Sequence, residues 1–234
     1  MEYSKEFKDL VTSSVKKNVY IGIGNPSASI LFVGKEASSK GKNGYTEEWK
    51  RHIENSTCQI LAYPISDKPE LKNPGNTWRK YQKLHDYIFK EKEENKDTKN
   101  RIDFLENVFT TEMSEKSNPN TTEAQKKPDF KENLKNRRET FFRSDFIKQF
   151  PVVVLACGNY IRYYDNANQI EDTFGVVFQE EKGNVKNQKF WTHFNSDKPK
   201  LVIHTRQLSG YVSNKLLEGM ASEIKQFLEE NNLY

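Results

Sequence analysis

Three places in the chain set chemically capable side chains directly after an apolar run. Glu36 follows Ile30-Leu-Phe-Val33 in Gly34-Lys-Glu-Ala-Ser38, Thr111 and Glu112 follow Val108-Phe109, and His204-Thr-Arg-Gln-Leu-Ser-Gly210 follows Leu201-Val-Ile203. A carboxylate at such a point can take a proton from water or steady a cationic carbon. An imidazole there can carry charge near neutral pH, and hydroxyls beside an arginine can hold a phosphate. Each position also has a plainer use. Glu36 can cap the segment after it, Thr111 and Glu112 can open a loop, and a lone histidine is commonly structural.

What must position these groups is a series of short apolar runs separated by helical patterns. Strands are expected at Ser29–Gly34, Asn107–Thr111, Val152–Cys157 and Leu201–His204, with a hairpin over residues 174–195 around Lys182-Gly183-Asn184. Helical spacing marks residues 1–17, 46–60, 78–94, 133–150 and 212–231. Pro151 stops the fourth of these, and Gly158 permits a tight turn into a further short helix over 159–164. Residues 112–127, rich in Ser, Asn, Thr and Lys, read as loop. Strands alternating with helices predict one three-layer α/β/α domain over residues 1–234, with a central, mostly parallel sheet and residues 1–19 as a capping helix. In such sheets the ligand crevice lies beyond the carboxyl ends of the strands, which selects the same three places.

With 234 residues the chain can bury a substantial core, and 15 Phe, 11 Tyr and 3 Trp supply the apolar area that a 30% charged composition would otherwise lack. The longest apolar stretch, Val152–Cys157, is far too short to span a bilayer, and the opening MEYSKEFKDL has no apolar signal region, so a cytoplasmic protein without a membrane partner is expected. The net charge of +4 permits a polyanionic partner without requiring one, because the charges are interspersed.

Several chemistries find little support. The two cysteines, Cys58 and Cys157, make neither a disulfide framework nor a cysteine-based zinc site. His52, His85, His193 and His204 are scattered without paired metal-ligand spacing, and no Gly-x-Ser-x-Gly elbow occurs. Neither a metal nor any other cofactor is expected.

Taken in order, Gly24-Asn-Pro26 with Ile30-Leu-Phe-Val-Gly-Lys-Glu-Ala37, Val108-Phe-Thr-Thr-Glu112, Phe146-Ile-Lys-Gln-Phe-Pro-Val-Val-Val-Leu-Ala-Cys-Gly158 and Leu201-Val-Ile-His204 resemble the uracil-DNA glycosylase superfamily over about residues 20–226. The resemblance implies a flipped nucleotide held in a pocket while water attacks its sugar carbon. On that basis Glu36 is the acid that activates water, and His204 is the imidazole that stabilises the leaving base. Glu112 and Thr111 read the base edge, Tyr45 or Trp78 stacks on it, and Thr205, Arg206 and Ser209 meet the nucleic-acid backbone.

The departures point elsewhere in part. Ala37 stands where the family's first motif has proline, and Thr205-Arg206 replaces Pro-Ser after the histidine. Glu112 stands near an asparagine that discriminates uracil, and an ionised carboxylate only accepts hydrogen bonds. A base presenting amino donors is therefore expected in preference to uracil. Beside the hydrolase stands a second reading, a non-catalytic module that binds nucleic acid, nucleotide or protein on the same fold.

Overall fold

The computed structural model describes residues 2–17, 19–37, 46–55, 75–90, 102–163, 168–185 and 188–234; Tyr45 and Cys58 lie outside them. Seven strands, β1 Ile23–Gly24, β2 Ile30–Gly34, β3 Val108–Glu112, β4 Val152–Leu155, β5 Val177–Val185, β6 Gln188–Asn195 and β7 Lys200–Thr205, join in the order β1-β3-β2-β4-β7-β6-β5. The middle four, β3, β2, β4 and β7, run parallel, while β1 at one edge and the β5–β6 hairpin at the other are antiparallel.

The apolar run Val152–Leu155, three of its four residues β-branched, is buried along its whole length, as a central parallel strand must be. Along β2 and β4 the side chains alternate between two apolar clusters. Leu31, Val33, Val153 and Leu155 enter one, and Ile30, Phe32, Val152 and Val154 enter the other.

The first cluster is covered by helices α1 Lys5–Lys17, α2 Thr46–Glu54, α5 Phe130–Glu139, α6 Asp145–Lys148 and α7 Gln169–Phe174. The second is covered by α3 Asn76–Phe89 and α8 Asn214–Glu230, whose buried Tyr81, Leu84 and Ile88 and Leu217, Met220 and Ile224 recur at helical spacing. Helices therefore lie on both faces of the sheet. Each fully buried Leu, Ile or Phe here contributes roughly 1.5–3 kcal/mol. Among the described residues, no helix is long and apolar enough to cross a membrane.

Four local expectations change. The N-terminal helix is more than a cap: Phe7 is wholly buried, edge-on to Trp49 at 4.9 Å and against Phe146 at 4.8 Å. The single helix expected over 133–150 is two, because Ser144 turns the chain and caps α6 by accepting a hydrogen bond from the Ile147 amide. The loop expected over 112–127 contains a short helix, α4 Thr121–Gln125, capped by Asn120, whose side chain accepts from the Glu123 amide at 3.0 Å. The helix expected at 159–164 is a 3-10 turn, Gly158–Tyr160, entered with Gly158 at φ 53°.

Candidate functional site

The carboxyl ends of β3, β2, β4 and β7 share one edge of the sheet. Register places Thr111, Val33, Leu155, His204 and Trp191 in one transverse row, so their side chains share a face. Glu112 pairs with Gly34 one step further along and therefore belongs to the opposite face, that of α3 and α8. His204 and Glu112 are thus on different faces, and Glu36, two residues past Gly34, lies at the edge where β2 has ended.

The two carboxylates form the electrostatic centre. Glu112 folds across Gly34 so closely that a Cβ at 34 would stand 2.1 Å from its Oε2, and the absence of a side chain at 34 makes room for it. Part of Glu112 remains accessible, yet protein surrounds its carboxyl. Burial, and then the charge of Glu36, push its pKa up to about 8, with Arg137 opposing. The ionised Glu112 expected from sequence is therefore corrected: at neutral pH this group is a carboxylic acid.

Glu36 Oε1 accepts a hydrogen bond from Thr121 Oγ1 at 2.9 Å, whereas Oε2 is buried without a partner. The Tyr160 hydroxyl is also buried without a hydrogen bond of good geometry, yet it lies within hydrogen-bonding reach of Glu36 and Thr121, and burial followed by Glu36 pushes its phenol up. Two buried oxygens this close at a strand end, without a well-formed bond, mark a candidate place for another group.

Arg137, on α5, supports this arrangement from within. Its Nε donates to the Glu112 carbonyl at 2.8 Å, its Nη2 donates to Thr111 Oγ1 at 3.1 Å, and the guanidinium lies 3.9 Å from the Phe141 ring centroid.

Thr111 is occupied. Its hydroxyl donates its one proton to the Ile21 carbonyl at 2.6 Å and accepts from Arg137, and its burial keeps a base from what remains. His204 is buried too. Its Nε2 donates to the Gly158 carbonyl at 2.8 Å, its Nδ1 is unpartnered, and burial lowers its pKa against the effect of that bond. The neutral imidazole packs against Trp191 at 5.4 Å and Tyr163 at 5.9 Å, and its one N–H is already engaged by Gly158.

Thr205 is still strand, fully buried, its hydroxyl donating to the Lys189 carbonyl at 3.0 Å, so it cannot meet a phosphate. Arg206 is exposed and Ser209 partly so, as a surface contact requires. Trp78 stacks edge-on against Phe104 at 5.6 Å as part of the α3 packing.

No family model, curated protein or solved structure matches the chain.

The site therefore rests on its own geometry: Glu36, Glu112, Thr121 and Tyr160 together. Thr121, Tyr160 and Arg137 escaped the sequence reading. Tyr160 had a usable signal, its place two residues after the Gly158 turn; the other two reach the site through tertiary packing alone. Elsewhere His85, Asp86 and Asp103 lie close enough to share an ion, but Lys90 Nζ already sits 2.6 Å from Asp86 and 3.6 Å from Asp103, and Gln82 bonds both carboxylates. That cluster is an internal ion-pair network.

Proposed function

We propose that the chain is a divergent member of the uracil-DNA glycosylase superfamily that hydrolyses the N-glycosidic bond of a flipped nucleotide in nucleic acid. The observation that carries this reading is the buried Oε2 of Glu36, without a well-formed hydrogen bond, past the carboxyl end of β2, with the Tyr160 hydroxyl within reach and the Glu112 carboxyl close enough to feel its charge. A water held by Oε2 bonds through oxygen to the sugar carbon, its proton passes to Glu36, and the carbon–nitrogen bond breaks with its electron pair leaving on the base.

The neutral Glu112 carboxyl both donates and accepts, the hydrogen-bond pattern of an amide. It suits a base edge with a carbonyl beside an N–H, and uracil has such an edge. The carboxyl ends of four parallel strands, where α/β sheets commonly place a ligand, support the placement, and exposed Arg206 with partly exposed Ser209 supplies a backbone contact.

A second reading, nucleic-acid binding without catalysis, is favoured by one observation: His204 donates its only N–H to Gly158. Release of free base from single- and double-stranded oligonucleotides carrying uracil, hypoxanthine or xanthine separates the two. The hydrolase releases at least one base and Glu36→Gln slows it by about 100-fold or more. The binding module releases none, and its salt-sensitive binding survives Glu36→Gln.

A further inference from the structure

We propose that the Lys35 ammonium neutralises the negative charge on the departing base, the part that the sequence assigns to His204. This rests on the glycosidic reading above. Lys35 stands between Gly34, which lies under Glu112, and Glu36. Its ammonium lies 4.9 Å from the Tyr160 ring centroid, over the ring whose hydroxyl stands beside Glu36.

Its side chain also reaches the turn after β4. A Cβ at Gly158 would find only two heavy atoms within 4 Å, Lys35 Cε at 3.7 Å and the Gln207 amide nitrogen at 3.8 Å. The ends of β2, β4 and β7 thus meet around this one cation, and Gly158, at a positive φ, presents no side chain to fill the space.

Among the described residues the Lys35 ammonium makes no hydrogen bond and no ion pair; it stands over an aromatic ring, and the Glu36 charge acts on it from beyond ion-pair distance. Other half-buried lysines are answered: Lys90 by Asp86 and Asp103, Lys182 by Glu180 and Glu223. Burial works against the Lys35 charge and the Glu36 charge offsets this only in part, so that an anion formed beside it restores the balance. His204 cannot do this, because its N–H is held by Gly158 and its environment keeps the ring neutral.

When the glycosidic bond breaks, the electron pair spreads from the ring nitrogen to a ring carbonyl oxygen, and the ammonium donates a hydrogen bond to that oxygen. Glu36 holds the proton taken from water, and the base is protonated by solvent after release. A preorganised cation aimed at charge that appears only in the transition state acts on the rate more than on binding.

The test is single-turnover release of uracil and of 5-fluorouracil, a more acidic and hence better leaving group, by wild type, Lys35→Met and Lys35→Arg. Lys35→Met is expected to slow uracil release by about 100-fold and 5-fluorouracil release distinctly less, with Lys35→Arg recovering part of the loss and oligonucleotide affinity little changed. Equal slowing of both substrates, or of neither, overturns the role of Lys35 while leaving the glycosidic reading in place. If Lys35→Met does not fold by circular dichroism, Lys35→Arg and Lys35→Gln carry the same comparison. If wild type releases no base from any oligonucleotide, the glycosidic reading falls and Lys35 with it.

Discussion

The Glu112 carboxyl rests on the α-carbon of Gly34, in the space that a side chain at 34 would take. Gly34 is not among the glycines with positive φ, so alanine fits the backbone there; only the far end of a flexible glutamate has to move. Gly34→Ala is therefore expected to cost about 1 kcal/mol, a few degrees of melting temperature, while base release falls sharply because the reader is displaced. Thermal melting run beside a base-release assay checks this. A variant as active as wild type would mean that the Glu112 position over Gly34 is dispensable.

Burial of Glu112 also sets the sign of a stability profile. The folded protein keeps a proton up to about pH 8 that the unfolded chain gives up near 4.5. Stability should therefore be greatest at the low end of that window and fall as pH rises through it, by at most roughly 1.4 kcal/mol per pH unit. Glu112→Gln keeps the shape and removes the titration. At pH 9 it should be the more stable protein in urea denaturation, and an unchanged slope in the variant would assign the effect to another group.

How far the site was legible from sequence follows from the same residues. The strands announced themselves, since Val152–Leu155 is an apolar run opened by a proline and Ile30–Gly34 one closed by a glycine, and their carboxyl ends drew attention to the candidate site. Glu36 and Glu112 followed from that. What escaped depended on register and burial. Thr111 and His204 occupy a row facing one side of the sheet, Glu112 faces the other, and nothing in local composition tells that Thr111 holds Arg137 or that His204 holds Gly158. The protonation state of Glu112 was misread for a similar reason: sequence shows a carboxyl, whereas its charge depends on the surrounding protein and on Glu36, 76 residues earlier in the chain.

His193 predicts an opposite trend in acid. Its ring is fully buried beside Tyr163 and Phe178 with neither nitrogen hydrogen-bonded, and burial followed by His204 lowers its pKa to about 4. Between pH 6.5 and 4 the unfolded chain takes up a proton that the folded protein refuses, so stability falls as pH drops through that range. From about 4.5 to 6.5 this slope opposes that of Glu112, and wild type should look flatter than either group alone. Glu112→Gln should expose the acid loss, and His193→Phe, which fits an aromatic surround and removes two unsatisfied nitrogens, should abolish it. Melting curves of the two variants at pH 4.5, 5.5 and 6.5 test the pair; parallel curves would refute the assignment.

Arg137 gives the strongest expected loss of stability. It is wholly buried, donates to the Glu112 carbonyl and Thr111 hydroxyl at the end of β3, and stacks on Phe141, and its pKa is lowered to about 10 chiefly by burial. Arg137→Lys loses the planar fork that serves two acceptors and a ring at once, at about 1–3 kcal/mol. Arg137→Met keeps most of the volume and removes the buried charge, but leaves the Glu112 carbonyl without its donor. Because the desolvation cost of the guanidinium disappears with it, Met is expected to be no worse than Lys in urea unfolding. Only Lys retains a cation near Glu112, so the Glu112 titration, followed by infrared carboxyl absorption, should move further up in Met than in Lys. A Glu112 that titrates alike in wild type and both variants would show that Arg137 holds the strand end without influencing its acid.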